Sequence, residues 1–162
     1  MLTIRKSTIE DLDSITDIYN DAVLNTTCTF DIKPKSIKDQ EEWFRSHNSR
    51  NPLITAVYSG KIAGWASLSP VSGRCAYSES AEISVYVSGA FRRKGIGKQL
   101  IAEILRLAKE EKLHTIIARI SIENKISLNM FENLGFFHAG LLKEIGFKFG
   151  RRIDVVIMQK IL

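Results

Sequence analysis

A short basic loop between a strand-like run and a strongly amphipathic helix is the feature that most constrains this chain. The segment runs from Glu82 to Leu100 and reads EISVYVSGAFRRKGIGKQL. Two glycines just before and at the start of the helix, Gly95 and Gly97, let the main chain come close to a ligand. The first N–H groups of the following helix have no partners inside it, and the helix dipole is positive at that end. The segment therefore predicts a cradle for a phosphate-like anion.

The two common nucleotide-binding patterns do not fit this loop. A P-loop needs Ser or Thr after Gly-Lys, but Gln99 follows Gly97-Lys98, and Arg92 stands where its first glycine belongs. A dinucleotide-binding fingerprint needs a third glycine or alanine where Leu100 stands. The pattern that fits is R-x-x-G-x-G, which begins at Arg92 and ends at Gly97.

Hydrophobic periodicity predicts the element order β-α-α-β-β-β-α-β-α-β-β. Strands are expected at 2–5, 53–58, 61–68, 81–87, 115–121, 136–147 and 152–160. Helices are expected after a capping box at Ser7–Glu10, then at 37–47, 95–111 and 124–134. This order predicts an α/β fold with a mixed central sheet and helices on both faces. No linker or repeat is visible, so residues 1–162 are expected to form a single domain.

Composition excludes several classes of protein. Hydrophobic residues make up 44% and charged residues 25%, which is ordinary for a soluble globular fold. There is no apolar run of about 18 residues, so no membrane span is expected. The N-terminus turns polar within a few residues, unlike a signal peptide. The two distant cysteines, Cys28 and Cys75, are expected to be small buried residues and favour a cytoplasmic location.

The net charge of +5 leaves two interpretations, a nucleic-acid surface or a site for an anionic ligand. Much of the basic excess lies at Arg92–Lys94 and at Lys148 with Arg151 and Arg152, and neither place has the pattern of interleaved aromatic residues of a single-strand groove. No nucleic-acid-binding motif is present, so no nucleic-acid partner is expected. The three histidines lack metal-ligand spacing, so no metal is expected. They are His47, His114 and His138.

The R-x-x-G-x-G loop resembles the pyrophosphate loop of the GCN5-related N-acetyltransferases (GNAT), which bind acetyl-coenzyme A. Four further segments look like the phosphinothricin/methionine-sulfoximine acetyltransferase subfamily, and the resemblance covers about residues 2–160. They are Ile18–Val23 with Thr29-Phe30, Arg74-x-Ala-Tyr77, Glu82–Val87, and Gly146–Arg151 with Asp154-Val155. The resemblance implies a GNAT fold, a mixed central sheet of about seven strands flanked by four helices.

The residues also indicate how acetyl transfer would proceed. A protonated amine must lose a proton before it attacks, and a carboxylate in a cleft can have a raised pKa and act as the base. Glu82 is the candidate, and the resemblance assigns the same role to the matching glutamate. A surface or salt-bridged glutamate is the alternative.

The resemblance implies a coenzyme site along the same segment. The main chain of Val85, Tyr86 and Val87 would pair with the pantetheine arm, and a backbone N–H there would polarise the thioester carbonyl. Asn124 would touch the coenzyme near its acyl arm, with Ser127 and Asn133 as weaker candidates. For Asn124 a helix N-cap is the alternative. The pyrophosphate would lie on the loop residues Arg92, Arg93, Lys94, Gly95, Ile96, Gly97 and Lys98.

The binding site for the acceptor amine is expected near the strand that begins with Glu82, partly in the loop that precedes it. Arg74 would clamp an amino-acid carboxylate, with Tyr77 beside it. Phe30 would wall the amine pocket or belong to the core. The implied acceptor is a small amino acid or analogue such as phosphinothricin, methionine sulfoximine or methionine sulfone. A homodimer through Trp65 or Phe147 is also expected.

Two residues depart from the subfamily. Phe131 replaces a histidine, a position where many acetyltransferases have the tyrosine thought to protonate the leaving thiolate, and Arg152 replaces a tryptophan. Since a thiol has a pKa near 8.5, water can protonate the leaving group. Three alternatives stay open: a protein N-terminus or polyamine as acceptor, a coenzyme A-binding sensor without turnover, and a nucleic-acid binder.

Overall fold

The computed structural model describes all 162 residues and has seven strands and four helices. Short 3-10 turns lie at Ile9–Asp11, Cys75–Tyr77 and Gly89–Phe91. The expected element order and the mixed α/β class are confirmed. In chain order the elements are β1 (Leu2–Lys6), α1 (Leu12–Asn25), α2 (Ile37–Arg45), β2 (Leu53–Tyr58), β3 (Lys61–Pro70), β4 (Ser80–Val87), α3 (Ile96–Glu110), β5 (Thr115–Ser121), α4 (Lys125–Asn133), β6 (Phe137–Lys148) and β7 (Arg151–Ile161).

The strands form one sheet in the order β1-β2-β3-β4-β5-β7-β6. Every neighbouring pair is antiparallel except β4 and β5, which are parallel. Ser59 and Gly60 have φ angles of +50° and +80°, and they turn β2 into β3 as the expected hairpin. Parallel strands need a long crossover, and α3 supplies it between β4 and β5.

The helices bury the two faces of the sheet separately. The larger core contains the apolar stripe of α3, with Leu100, Ile101 and Ile104 fully buried, and residues of α4. On the other face, Ile15 of α1 packs with Leu53 and Trp65. Trp65 is only 3% exposed, so the expectation that it contacts a second copy of the chain is wrong.

Two local expectations are also wrong. The capping box uses Thr8 and Asp11 rather than Ser7 and Glu10. The Asp11 carboxylate accepts a hydrogen bond from the Thr8 N–H at 2.9 Å and forms an ion pair with Arg5 of β1. The ion pair with Arg5 therefore determines which residues form the capping box.

The cysteines are exposed rather than buried. Cys28 lies in the loop after α1 and Cys75 in the 3-10 turn before β4, where neither faces a core. None of the helices is both long and apolar enough to cross a membrane.

Candidate functional site

The strands β4 and β5 separate partway along their length, and Glu82 lies where they part. Their parallel pairing joins Ser80–Glu82 to Thr115–Ile117 and stops there, although β4 continues to Val87 and β5 to Ser121. On its other side β4 stays paired with β3 to its end. The main-chain groups of residues 83–87 that face β5 therefore have no strand partner and can pair with an extended ligand.

The Glu82 side chain is mostly buried, with 22% exposed. Burial raises the pKa of Glu82 above the ordinary glutamate value, and the nearby guanidinium of Arg119 partly opposes that rise. The Nη1 atom of Arg119 lies 3.3 Å from the Glu82 Oε2 atom. A carboxylate with a raised pKa at the opening of a cleft is suited to accept a proton from a substrate.

Beyond the β4 strand, the chain enters α3 through residues 92–98, here called the α3 loop. The main chain of this loop is accessible to a ligand. Gly95, the N-cap of α3, has a φ of +74°, a left-handed conformation that glycine adopts without strain. No side chain caps the first turn of α3. Arg92, Arg93 and Lys98 are exposed and form no ion pair within the chain. The loop therefore offers N–H donors and unpaired positive charge to an anion.

Lys94 is also exposed, and its ammonium lies 4.9 Å from the centre of the Tyr58 ring. Two residues along, Ile96 is buried in the larger core, so its contribution to a ligand is limited to its main chain. Gly97 packs against α4, since a Cβ there would lie 3.2 Å from the Met130 Sδ atom. This close approach holds the start of α3 against α4.

Asn124 is the N-cap of α4, as the alternative reading expects. Its Oδ1 atom accepts a hydrogen bond from the Ser127 N–H at 3.1 Å, and its Nδ2 group lies 3.3 Å from the Cys28 Sγ atom. Asn124 and Ser127 therefore share the first turn of α4. Asn133 is exposed at the last residue of that helix, about 12 Å along the axis from its start. The structure does not bring Asn133 together with Asn124.

Beyond Glu82, the side chains of Val85, Tyr86 and Val87 do not contribute free functional groups at the cleft. Val85 and Val87 pack against the larger core. The Tyr86 ring packs on Tyr19 and Trp65, with ring centres 5.2 Å and 4.8 Å away. Burial raises the pKa of the Tyr86 hydroxyl. Only the main chain of these strand residues is available to a ligand, as expected from the sequence.

The loop after α1, residues 26–36, is fixed from several sides. The Tyr19 hydroxyl donates to the Asp31 carboxylate and is hydrogen-bonded to Thr29. The buried Lys148 donates from Nζ to the Thr29 carbonyl at 2.8 Å, and burial lowers the pKa of this lysine. The half-buried Phe30 ring covers Gly146, where a Cβ would lie 2.2 Å from a ring carbon.

The loop before β4 leaves two polar side chains free. Arg74 and Tyr77 are exposed, and neither the guanidinium nor the phenol hydroxyl has a hydrogen-bond partner in the chain. Arg50 holds this loop by donating to the Ser78 carbonyl at 2.7 Å and 3.2 Å. The loop is anchored while its candidate binding groups remain available.

Phe131 lies inside the larger core rather than at the cleft. It is 4% exposed, and its ring packs edge-on against Phe136 with 4.8 Å between ring centres. At this position the chain has neither a proton to donate nor an opening to a ligand.

The sequence pointed to Glu82, the α3 loop and Asn124, but it gave no sign of Arg119, Arg50 or the contact of Lys148 with Thr29. Each of these contacts joins residues at least 28 positions apart. These contacts depend on strand register and on where the loops lie. Hydrophobic periodicity along the chain predicts neither of these. The run of basic residues next to Gly95 is a local signal, and the sequence alone was enough to find it.

Two half-open pockets, of about 260 Å³ and 360 Å³, lie elsewhere, around Lys6 and Asn48. Neither is lined by Glu82 or by the α3 loop. No group of three or more histidine, cysteine, aspartate or glutamate side chains is arranged to hold a metal ion.

Comparison with known proteins gives consistent results over nearly the whole chain. The acetyltransferase (GNAT) domain family matches residues 4–157. A Pseudomonas aeruginosa protein named L-methionine sulfoximine/L-methionine sulfone acetyltransferase is 33% identical over 97% of this chain and 92% of its own length.

Solved structures agree with the sequence comparisons. A phosphinothricin acetyltransferase from Sinorhizobium meliloti in complex with acetyl-CoA is 34% identical, with a TM-score of 0.96, covering 99% of this chain and 88% of that one. A structure named ribosomal-protein-alanine N-acetyltransferase, from Brucella melitensis, is 37% identical, also with a TM-score of 0.96, and covers 99% of both chains.

Proposed function

Because the chain belongs to the acetyltransferase (GNAT) family, we propose that it transfers an acetyl group from acetyl-CoA to the amino group of a small amino acid or amino-acid analogue. Phosphinothricin and methionine sulfoximine represent the acceptor class. The observation that carries the proposal is the parting of β4 and β5 at Glu82, beside the uncapped start of α3. We propose that residues 1–162 act as one domain, which the match to residues 4–157 supports.

The residues present fit acetyl-CoA, which supplies the acetyl group as an activated thioester. The α3 loop, residues 92–98, would hold the pyrophosphate through main-chain N–H groups and its exposed arginines and lysines. The unpaired main chain of Val85, Tyr86 and Val87 would hydrogen-bond the pantetheine arm. Asn124 would contact the acyl end of the same arm. Ser127 would be a weaker contact on the same turn of α4, and Asn133 would be a weaker contact at the far end of that helix.

Glu82 would accept the proton from the acceptor amine. The amine nitrogen then bonds to the acetyl carbon, the carbon–sulfur bond breaks, and coenzyme A leaves as the thiolate. Water would protonate the thiolate, since Phe131 is buried in the core and carries no proton. Transfer is direct, without an acetylated side chain of the enzyme.

On the acceptor side, Arg74 would bind the carboxylate of the amino acid, and Tyr77 would donate a hydrogen bond beside it. Both groups are exposed and unpaired in the chain. The half-buried Phe30, held over Gly146, would form the apolar wall of the amine pocket. Arginine suits this role because its guanidinium binds a carboxylate through two parallel hydrogen bonds.

A second candidate is acetylation of a protein N-terminus, which the 37% identity to the Brucella melitensis structure favours. The two candidates differ in what must enter the cleft. A free amino acid presents its carboxylate to Arg74, whereas a peptide has an amide at that position and extends away from the site.

A thiol-release assay distinguishes these acceptors. The purified protein is incubated with acetyl-CoA and with phosphinothricin, methionine sulfoximine, methionine sulfone, an alanine-starting peptide or spermidine. We expect turnover with the amino-acid analogues. Glu82→Gln should reduce kcat by at least about 100-fold while the acetyl-CoA affinity measured by calorimetry stays the same.

Three results would contradict the proposal. Turnover with the peptide alone would favour the second candidate. Acetyl-CoA binding without turnover on any amine would indicate a coenzyme sensor, and no heat of association with acetyl-CoA would remove the donor site.

We also propose that two chains pair through β6, an edge strand of the sheet, and that the protein is cytoplasmic. Large apolar side chains of β6 are exposed, with Phe147 at 63%, Ile145 at 60% and Leu141 at 46%. An edge strand with one free side and such exposed side chains is suited to contact a partner. Sedimentation of the wild type and of Phe147→Lys tests the dimer. The two free cysteines support the cytoplasmic location.

A further inference from the structure

Arg119 occupies a special position on β5. Ile117 is the last β5 residue paired with β4, and its partner is Glu82. Side chains alternate between the two faces of a strand, so Arg119 is the next residue on the Ile117 side of the sheet. It therefore stands on the first part of β5 that has left β4, beside the opening where Glu82 lies.

The guanidinium of Arg119 reaches back across this opening to the Glu82 carboxylate. Its Nη1 atom lies 3.3 Å from Oε2, and this is the ion pair that Glu82 forms in the structure. The Glu82 side chain is 22% exposed and that of Arg119 is 50% exposed. Because the carboxylate is the more buried partner, the pair restrains the glutamate while the arginine stays in contact with solvent.

Arg119 is the charged side chain that forms an ion pair with Glu82. The β3 residue opposite it is Ser69, and the β5 residue opposite it is Ile117. The positive charge of Arg119 lowers the pKa of Glu82, opposite to the effect of burial. The free guanidinium of Arg74, in the loop before β4, makes no ion pair with Glu82.

We infer that Arg119 is a positioning residue whose guanidinium holds the charged Glu82 carboxylate at the opening between β4 and β5. This inference rests on the proposed role of Glu82 as the base. Arg119 does not need to touch either substrate, because it acts through the glutamate.

The inference has a directional consequence for pH dependence. Burial raises the pKa of Glu82 and Arg119 lowers it, so removing the guanidinium leaves burial unopposed. The carboxyl then stays protonated to a higher pH. A protonated base cannot accept the amine proton, so activity should be lost first on the acid side of the profile.

The test compares Arg119→Gln, which removes the charge, with Arg119→Lys, which keeps it. Arg45→Gln is the matched control, since Arg45 is an exposed arginine paired with Glu41 on α2, away from the cleft. For each protein kcat/KM is measured from about pH 5.5 to 9. We expect Arg119→Gln to lower kcat/KM about two- to fivefold at the acid end and to approach the wild type at the alkaline end.

Arg119→Lys should lie between Arg119→Gln and the wild type, and Arg45→Gln should match the wild type. Two results would overturn the inference: an Arg119→Gln profile that superimposes on the wild type, or a loss of the same size at every pH. The second pattern would indicate a structural role only.

A measurement without turnover separates this inference from the proposed function. The carboxyl carbon of Glu82, labelled with carbon-13 and assigned by its absence in Glu82→Gln, is titrated by NMR in the wild type and in Arg119→Gln. A titration midpoint at higher pH in Arg119→Gln supports the ion pair, and an unchanged midpoint contradicts it. If the midpoint moves but Glu82→Gln retains full turnover, the base assignment fails while the ion pair stands.

Discussion

At the scale of single residues, the Glu82 carboxyl is expected to reduce the stability of the folded protein wherever it is ionised. Its pKa is raised on folding, mainly by burial. Below the ordinary glutamate pKa of about 4.3, folded and unfolded chains both carry the proton and no difference arises. As the pH rises from there through the folded pKa, the unfolded chain loses the proton more readily and stability falls.

We therefore predict that Glu82→Gln gains stability relative to the wild type as the pH is raised from 4 to 7, because glutamine avoids the buried charge. Urea unfolding at the two pH values measures the difference in unfolding free energy. Glu123→Gln is a control of opposite sign. The paired Arg151 lowers the pKa of Glu123, so this variant should lose stability relative to the wild type over the same range.

An equal difference for Glu82→Gln at both pH values would contradict the direction of the pKa shift. It would leave the catalytic proposal to be decided by turnover alone. A gain in stability combined with a loss of turnover would show that a carboxyl required for function reduces stability, as expected for a charge placed in a cleft.

Roles that depend on neighbouring residues in the sequence were predicted better than contacts between residues far apart in the sequence. Gly95 and Asn124 were found because a glycine before an apolar stripe and an asparagine before a helix have local meanings. The expectation that Cys28 is buried was wrong, because its exposure depends on how the loop after α1 folds against the rest of the chain. Arg119 was missed because the β4–β5 register is set by the whole sheet.

At the scale of elements, the strand β6 supports the loop that follows α1. Gly146 and Lys148 are two residues apart on this strand, and they contact the adjacent loop residues Phe30 and Thr29. Alternate residues of a strand lie on the same face, so one face of β6 contacts both of these loop residues. The proposed wall of the acceptor pocket is therefore positioned by an element late in the sequence.

We predict that Gly146→Ala displaces the Phe30 ring, because the new methyl group would lie 2.2 Å from a ring carbon. Unfolding free energy should fall by about 1–3 kcal/mol, as for other overpacked sites. The KM for the amino-acid acceptor should rise, while the acetyl-CoA affinity should stay unchanged because the α3 loop is not touched. Thermal unfolding and steady-state kinetics measure these effects.

Gly140→Ala on the same strand is the matched control, since a Cβ there has no neighbour within 4 Å. This variant should keep both stability and acceptor KM. If Gly146→Ala lowers stability and leaves the acceptor KM unchanged, Phe30 belongs to the core alone and the pocket wall lies elsewhere.

The elements themselves followed from the sequence more closely than their contacts. The bounds of β2 and β5 agree with expectation, and α3 and α4 begin within one residue of it. These elements have strong periodicity and clear end signals, which act locally. The capping box before α1 was misplaced by one residue, because the ion pair between Asp11 and Arg5 of β1 competes with the local capping preference.

At the scale of the whole molecule, part of the positive charge is concentrated at the α3 loop. The chain carries +5, and the α3 loop holds basic residues that no acidic side chain neutralises. The sequence left open whether this excess serves nucleic acid or an anionic ligand. The uncapped helix start beside these residues favours a compact anion, because its N–H donors converge on a small volume.

Charge at the α3 loop should therefore matter more for acetyl-CoA binding than the same charge elsewhere. We compare the double variant Arg92→Gln/Arg93→Gln with Lys109→Gln/Lys112→Gln, which has the same net charge. Lys109 lies in the last turn of α3 and Lys112 just beyond its end, about 20 Å from the loop and beyond the screening length of about 8 Å at physiological salt. Calorimetry at several salt concentrations gives the affinity of each protein.

We expect the loop variant to bind acetyl-CoA roughly tenfold more weakly than the wild type and to lose affinity less steeply as salt is added. The distal variant should bind within about twofold of the wild type at 0.15 M salt, because its missing charges are screened from the ligand. Equal weakening of the two variants would mean that the ligand responds to net charge alone. The start of α3 would then not be where the phosphates bind.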